Sequence, residues 1–569
     1  MRTLSCLLVL LATLVTGCKG TDLGSASCTP GCASGLTCFD NADFPGGVCT
    51  VSCSSGERCP EGKVCIPLST GDFCLPSCSS GDGCPTGLVC GAGGNAGQVC
   101  LAPAAAPASA VSCPTLPVAN SGGTIDVPEL TGCVQPIVQS TYAPAPPADG
   151  LTLALGVHQV GETVQFQLPP GTSGFTVVSQ GEATNEARVT AFGNVFPNSP
   201  LPTPIAAPDG TFFDYPSSFE STPSDRMLTW SPISPVAAAV TFPNGTAGLR
   251  KAAQGLSPGN WTLTVSDLLH ECGALGCGDP SSGSTANVYD VTVLTRSGAV
   301  PDRGALDLVI YLVDGRVPAA SAVADAGFQR MLQRVAADLT RAGICLRTVT
   351  YYDVPAWARD RWAIVEVGSE KTADPCSDYR QLFTLARPGN AVSVFLVGQI
   401  TDLDAPPGNR TVGYDGAIPG VSTFSGTTAG GAIVSSADLS SPTGCGSGFS
   451  VSCGPDVVGE TVAHEASHAL GLFHTTESLG ASTEDFDPIT DTPQCLCSLC
   501  VAGSERAGCA DPRGGTGTTQ VDGPACSQGT QACGGADYLM FWTLTDKSAG
   551  NLSPQEGQVM RMNPLVRPL

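Results

Sequence analysis

Five histidines occur in 569 residues, and three of them fall in one window, His464-Glu465-Ala466-Ser467-His468-Ala469-Leu470-Gly471-Leu472-Phe473-His474. From the composition, three His, one Glu and one Gly in these positions are expected by chance on the order of 10⁻⁶ times in a chain of this length. Residues four apart share one face of an α-helix, so a helix over 457–470 presents His464 and His468 to a single ion. Gly471 suits the left-handed residue that ends such a helix, because it has no Cβ to clash there. The chain then turns back and His474 supplies a third imidazole. Three protein ligands leave a fourth position for water, the open geometry of a catalytic zinc site. Zinc held there lowers the pKa of water to about 7, and Glu465 is placed to take that proton and later to deliver it to a leaving amine. The expected chemistry is therefore hydrolysis without a covalent intermediate. A structural or inactive zinc site is the rival, and Glu465 beside the first ligand weighs against it. His158 and His270 lie away from other ligand types and read as packing or surface residues.

The elements that must position this window follow from periodicity. Leu306-Asp307-Leu308-Val309-Ile310-Tyr311-Leu312-Val313 reads as a buried strand, and Phe328, Met331, Leu332, Val335 and Leu339 recur at helical spacing before Gly343. Cys345 to Val349 and Ala391 to Val397 return as strands. Strand, helix, strand, strand predicts an α/β domain over 301–569, with a mixed sheet and a zinc-binding helix. Ten cysteines lie between Cys345 and Cys533. They are expected to form disulfides that staple the long insert between His474 and Met540, in preference to a second metal site. That insert is expected to frame the primed side of the cleft.

His-Glu-x-x-His-x-x-Gly-x-x-His resembles the signature of the metzincin zinc peptidases. Asp537-Tyr538-Leu539-Met540-Phe541-Trp542 is similar to their methionine turn, with Met540 as a packing residue beneath the metal. Thr475, Asp491-Thr492-Pro493 and the closing Leu552-Ser553-Pro554-Gln555 to Arg561-Met562 resemble the pappalysin and cytophagalysin-like branch. The resemblance implies a zinc-dependent endopeptidase acting on protein or peptide substrates. It also implies that an extended substrate adds as an antiparallel strand, for which Gly430 to Ser436, and within it Ala432, Ile433 and Val434, is the expected partner. Two departures stand out. Trp542 occupies the position where some relatives carry a tyrosine, so the oxyanion partner is unassigned. Members of this branch can bind Ca2+ near the methionine turn, but no acidic loop appears between Met540 and Leu552.

The upstream half bounds where such chemistry would act. Arg2 followed by the apolar run Leu7 to Val15 reads as an export signal over 1–17, and Val15-Thr16-Gly17-Cys18 reads as a lipobox with Cys18 lipidated; ordinary signal cleavage is the alternative. Any membrane attachment would come from this N-terminal anchor, placing the protein on a bacterial surface or outside the cell. Within 18–100, three cysteine quartets repeat: Cys28/Cys32/Cys38/Cys49, Cys53/Cys59/Cys65/Cys74 and Cys78/Cys84/Cys90/Cys100. Units this short need two bridges each in place of a core. An Ala/Pro-rich linker covers 101–112. From 113 to 300, Val164 to Leu168, Trp261 to Val265 and Tyr289 to Val293 alternate with period two, which predicts a jelly-roll-like β-sandwich with one buried face per sheet. Cys113/Cys133 and Cys272/Cys277 are its expected bridges. The accessory domain would either bind substrate or glycan or serve as a structural partner. A net charge of -24 with only 26 Lys and Arg argues against nucleic acid. The competing function is a surface adhesin or binding protein carrying an inactive protease-like domain; oligomeric state is left open.

Overall fold

The chain divides into two compact units, residues 1–109 and 110–569. In the computed structural model the described residues comprise short segments between 37 and 101, then 113–133, 150–181, parts of 187–213, 237–269, isolated strands between 272 and 282, 286–368, 371, most of 374–475, 487–489, 491–492, 537–544 and 548–569. The signal segment, Cys18, the linker beyond Leu101, His270 and the cysteines from Cys495 to Cys533 lie outside them. Among the described residues no helix is long and apolar enough to cross a membrane.

In the first unit each cysteine repeat forms one hairpin: Thr37–Asn41 with Phe44–Thr50, Lys63–Leu68 with Gly71–Pro76, and Val89–Ala92 with Gln98–Leu101. The last two cysteines of each repeat fall opposite one another, Cys38 with Cys49, Cys65 with Cys74 and Cys90 with Cys100. In the middle repeat the bridges are Cys53–Cys65 and Cys59–Cys74. Although Cys53, Cys59 and Cys65 bring their sulfurs together, those disulfides leave no thiolate for a metal.

The second unit opens with strand β1 (Val118–Thr124), followed by β2 (Thr152–Gln159), β3 (Thr163–Leu168), β4 (Thr172–Gly181), β5 (Ile205–Ala206), β6 (Phe212–Phe213), β7 (Ala237–Phe242), helix α1 (Thr246–Gln254), β8 (Gly259–Thr264) and β9 (Val288–Ser297). Strands β2 to β9 make two four-stranded antiparallel sheets, β7-β4-β9-β2 and β6-β5-β8-β3. They face each other over Phe166, Phe175, Phe213, Phe242 and Trp261, whose rings pack stacked, tilted or edge-on. In β3 exposed and buried residues alternate as the sequence predicts. In β7 they do not, because all six residues are buried. The expectation of one buried face per sheet therefore fails for β7-β4-β9, whose second face is covered by the rest of the unit.

Beyond β9 come β10 (Gly304–Leu312), α2 (Ala326–Arg341), β11 (Ile344–Asp353), β12 (Val392–Val397), β13 (Gly413–Asp415), β14 (Ala432–Ser435), α3 (Gly454–Ala469), α4 (Pro554–Met562) and β15 (Arg567–Pro568). The mixed sheet runs β13-β14-β12-β10-β11-β1, with β15 added to the start of β10. All neighbours are parallel except β13 and β15. Parallel strands covered on both faces read as near-continuous apolar runs, and β10 and β12 are mainly apolar, each with one polar residue, Asp307 and Ser393. Helix α2 starts where the Asp325 carboxylate accepts the N–H groups of Gly327 and Phe328, and it ends before Gly343 at φ 73°. The chain is thus a multidomain α/β protein.

Strand β1 corrects the expected bridge between Cys113 and Cys133. The disulfides are Cys113–Cys345 and Cys133–Cys376; the first ties the chain before β1 to the start of β11, and the second ties the chain after β1 to the turn before the helix Asp378–Phe383, neither to the sandwich. Two cysteines that each pair across a proposed boundary leave every segment with an even count, so parity could not reveal the crossing. Cys272 and Cys277 face each other in a short hairpin.

Candidate metal centre and active site

Helix α3 runs to Ala469 with nearly every residue buried, since it lies between α2 and the sheet. Its end follows from Gly471, whose φ of 108° reverses the chain while its N–H donates to the His468 carbonyl at 2.8 Å. The reversal brings His474 back to the helix. His464 Nε2 lies 3.2 Å and His468 Nε2 3.1 Å from His474 Nε2.

The hydrogen bonds on the far side of two of these rings fix what the inner nitrogens are. His464 Nδ1 is 2.6 Å from the Leu539 carbonyl, and His468 Nδ1 is 2.7 Å from the Leu472 carbonyl. A carbonyl only accepts, so Nδ1 carries the proton in both rings and Nε2 presents a lone pair. Burial also holds the rings neutral, pushing His464 down to about 3 and His468 well below the usual histidine range. Lone pairs crowded this closely repel unless a cation sits among them. Imidazole nitrogens about 2.0–2.1 Å from one tetrahedral zinc would be about 3.3 Å apart, close to the spacing seen. The residues therefore fit zinc: the three expected ligands come together, and they are the only described histidine group placed to hold an ion.

Met540 is fully buried in the turn that follows, and its carbonyl accepts the Thr475 N–H at 3.0 Å. The turn acts on the site through its backbone, because Leu539 orients His464 and Met540 orients the residue after His474.

Glu465 points from α3 toward β13. A Cβ at Gly413 would lie 2.6 Å from Thr461 Cγ2 and 2.8 Å from Glu465 Cδ, so only glycine leaves room for the carboxylate beside the strand. Burial, and then the nearby Asp415, push the Glu465 carboxyl well above the usual range. A divalent cation among the histidines would act in the opposite direction.

The segment expected to pair with substrate forms an interior strand. Ala432, Ile433 and Val434 are fully buried, and β14 is bonded on one side to β12 and on the other to β13. A strand with two neighbours has no free edge for a third. Among the described residues, the strand beside Glu465 that is bonded on one side only is β13, Gly413 to Asp415. Sequence reading missed it because three residues bounded by glycines carry no hydropathy pattern.

A second group of residues also escaped notice. Asp487, Asp491 and Glu556 converge from two segments distant in sequence. Asp487 uses Oδ1 for the Thr492 hydroxyl at 2.7 Å, Asp491 accepts the Gln555 N–H at 3.1 Å, and Glu556 caps α4 by accepting the Ser553 N–H at 2.5 Å. Among the described residues, Asp487 Oδ2 and Glu556 Oε1 are buried with no hydrogen-bond partner. Burial pushes Asp487 up to about 8 and Glu556 well above the usual range, and each raises or is raised by the others. Asp487 and Asp491 are visible in the sequence four residues apart, but their partner Glu556 lies beyond the 540–552 stretch, in which no acidic loop appears.

No family model matches this chain, and no curated protein matches it. Among solved structures, mature mirolysin of Tannerella forsythia in complex with a cleaved peptide is similar to 46% of this chain over 90% of its own, at 15% identity and a TM-score of 0.25. Metalloproteinase-II from Bacteroides fragilis is similar to 36% of this chain over 60% of its own, at 12% identity and a TM-score of 0.17. The second is a metalloproteinase by name, and at such scores the functional reading rests on the geometry of the histidine site.

Proposed function

We propose that the chain is a zinc-dependent endopeptidase of metzincin type, exported and acting on extended polypeptide. The observation that carries this reading is the convergence of three imidazole nitrogens beside a non-ligating carboxylate, Glu465, in a gap left by Gly413. Zinc bound by His464, His468 and His474 would supply a Lewis acid that acidifies water and polarises a peptide carbonyl. Glu465 removes the proton from the attacking water and returns it to the departing amine. The edge of β13 aligns substrate by backbone pairing, which gives affinity without fixing side-chain identity. The disulfides support an oxidising compartment. An adhesin with an inactive protease-like domain is the weaker reading, because it leaves Glu465 and its glycine gap without a role. The test is hydrolysis of an unfolded protein by the full chain before chelation, after it, and after zinc is restored. Loss and recovery of cleavage, with one zinc per chain, is expected. Zinc bound at one equivalent with no cleavage of any unfolded substrate would leave the adhesin reading standing.

The group Asp487, Asp491 and Glu556 is read as a calcium site in the same proposal. Buried carboxylate oxygens without partners are costly, and calcium accepts six to eight oxygens from such groups. Calcium should stabilise the zinc-loaded protein by about 2.7 kcal/mol at a hundred times its dissociation constant, read as a rise in Tm. The Glu556→Gln variant should lose most of that rise; an equal rise in both proteins, or none in the wild type, would count against the site.

A further inference from the structure

The burial pattern of the sandwich points to a role in the metal centre. One face of β7-β4-β9 fills the sandwich core; the other carries Val178, Ala237, Ala239 and Leu294 and packs on Ala417 and Ala429, which flank β13 and β14. Ala417 lies two residues after the end of β13, and its N–H donates to Asp415 at 3.1 Å. From the opposite side, the buried Arg380 guanidinium donates to the carbonyls of Gly416 at 2.8 Å and Thr428 at 3.0 Å, so this loop base is gripped twice. Three residues on, the Gly420 N–H donates to the Ala469 carbonyl at 3.1 Å.

A second path leads to the same atom. Arg296, at the end of β9 and only 2% exposed, donates to the carbonyls of Arg561 at 2.6 Å, Asn563 at 3.3 Å and Val566. These belong to the end of α4 and the turn after it. Asn563 in turn donates its side-chain amide to the Ala469 carbonyl at 3.3 Å. Ala469 is the last residue of α3, directly after His468 and two residues before the Gly471 reversal that delivers His474. A helix's final carbonyls have no partners within the helix, so whatever donates to them sets where the helix ends.

We infer that the sandwich is a positioning part of the metal centre, with Arg296 and the Val178/Ala239/Leu294 face holding the end of α3 through the two donors to Ala469. This answers the open alternative for the accessory domain in favour of a structural partner. The inference rests on the metal-site reading of the three histidines but not on hydrolysis. Arg296 is a positioning residue and touches no substrate.

The test uses the full chain and two kinds of variant. Arg296→Met keeps length and removes the donors, and Arg296→Lys keeps one charged donor. Ala239→Leu adds bulk at the packed face and leaves every polar group in place. Zinc affinity is measured by competition with a chromophoric chelator, and amide exchange is followed in 413–420 and 454–475. Outer-sphere changes at metal sites cost about 10–100-fold in affinity. That loss is expected for Arg296→Met and Ala239→Leu, with faster exchange at 416–420 and 466–474, partial recovery in Arg296→Lys, and a single cooperative unfolding transition for the unit. If Arg296→Met does not accumulate, Ala239→Leu decides alone. Wild-type zinc affinity and exchange in a folded Ala239→Leu, or independent unfolding of the sandwich, would overturn the inference. A wild type that binds zinc but hydrolyses nothing would defeat the peptidase reading and leave this one intact.

Discussion

Replacing Glu465 by alanine should lower kcat/KM on a peptide substrate by about 10²–10⁴-fold, the range in which a positioned general acid-base contributes, while zinc content stays at one per chain. The separation of the two readouts follows from the geometry. The three atoms that define the ion's position are histidine nitrogens, two of them oriented by the Leu539 and Leu472 carbonyls, and Glu465 belongs to neither set. Its carboxylate instead occupies the gap that Gly413 leaves beside the edge strand, on the side from which a polypeptide aligned on β13 would approach. Glu465→Gln fills the same space without a base and should fall nearly as far as Glu465→Ala. Activity within tenfold of wild type in either variant would remove Glu465 from the proton-transfer role. Loss of zinc along with activity would instead make it a structural prop of the site.

What the sequence made legible was local. The spacing of His464, His468, Gly471 and His474 encodes a helix face and its reversal within eleven residues, and the structure brings the three rings together. Strands β10 and β12 announce themselves because strands covered on both faces are apolar nearly throughout. What escaped was non-local or featureless. Strand β1, Val-Ala-Asn-Ser-Gly-Gly-Thr, is an exposed edge with no apolar stripe, so its place beside β11 is set by two disulfides that the sequence cannot pair. Strand β13 is three residues long. The acidic group needs Glu556 to meet Asp487 across a span of sequence that no motif bridges. Ala237 and Ala239 read as ordinary strand residues, whereas their small size is what lets the sandwich lie against Ala417 and Ala429.

Replacing Arg334 by methionine should destabilise the unit by about 3–5 kcal/mol at pH 8, the usual penalty for stripping a buried charge of its partner, and by much less near pH 5. Arg334 extends from α2 to Asp338 at 2.6 Å and to Glu460 of α3 at 3.0 Å, with all three side chains at most 4% exposed. The exposed Phe449 ring lies over the guanidinium at 5.2 Å. One cation thus serves two carboxyl groups. Burial dominates both, raising Asp338 from 3.8 to about 6 and Glu460 from 4.5 to about 7 despite the opposing pull of Arg334. Because the folded values lie above the unfolded ones, the native state holds protons that the unfolded chain releases. The stabilising contribution is complete below about pH 4 and is lost as pH rises through 6 and 7. Removing Arg334 raises both groups further, so the cost grows with pH over the same window. Urea unfolding at pH 5 and pH 8, with chelator present so that metal binding adds no pH dependence of its own, measures the difference. A cost that is the same at both pH values would show that Arg334 acts by packing alone. A pH-dependent cost would show that the charge itself ties α2 to α3 one helical turn before His464.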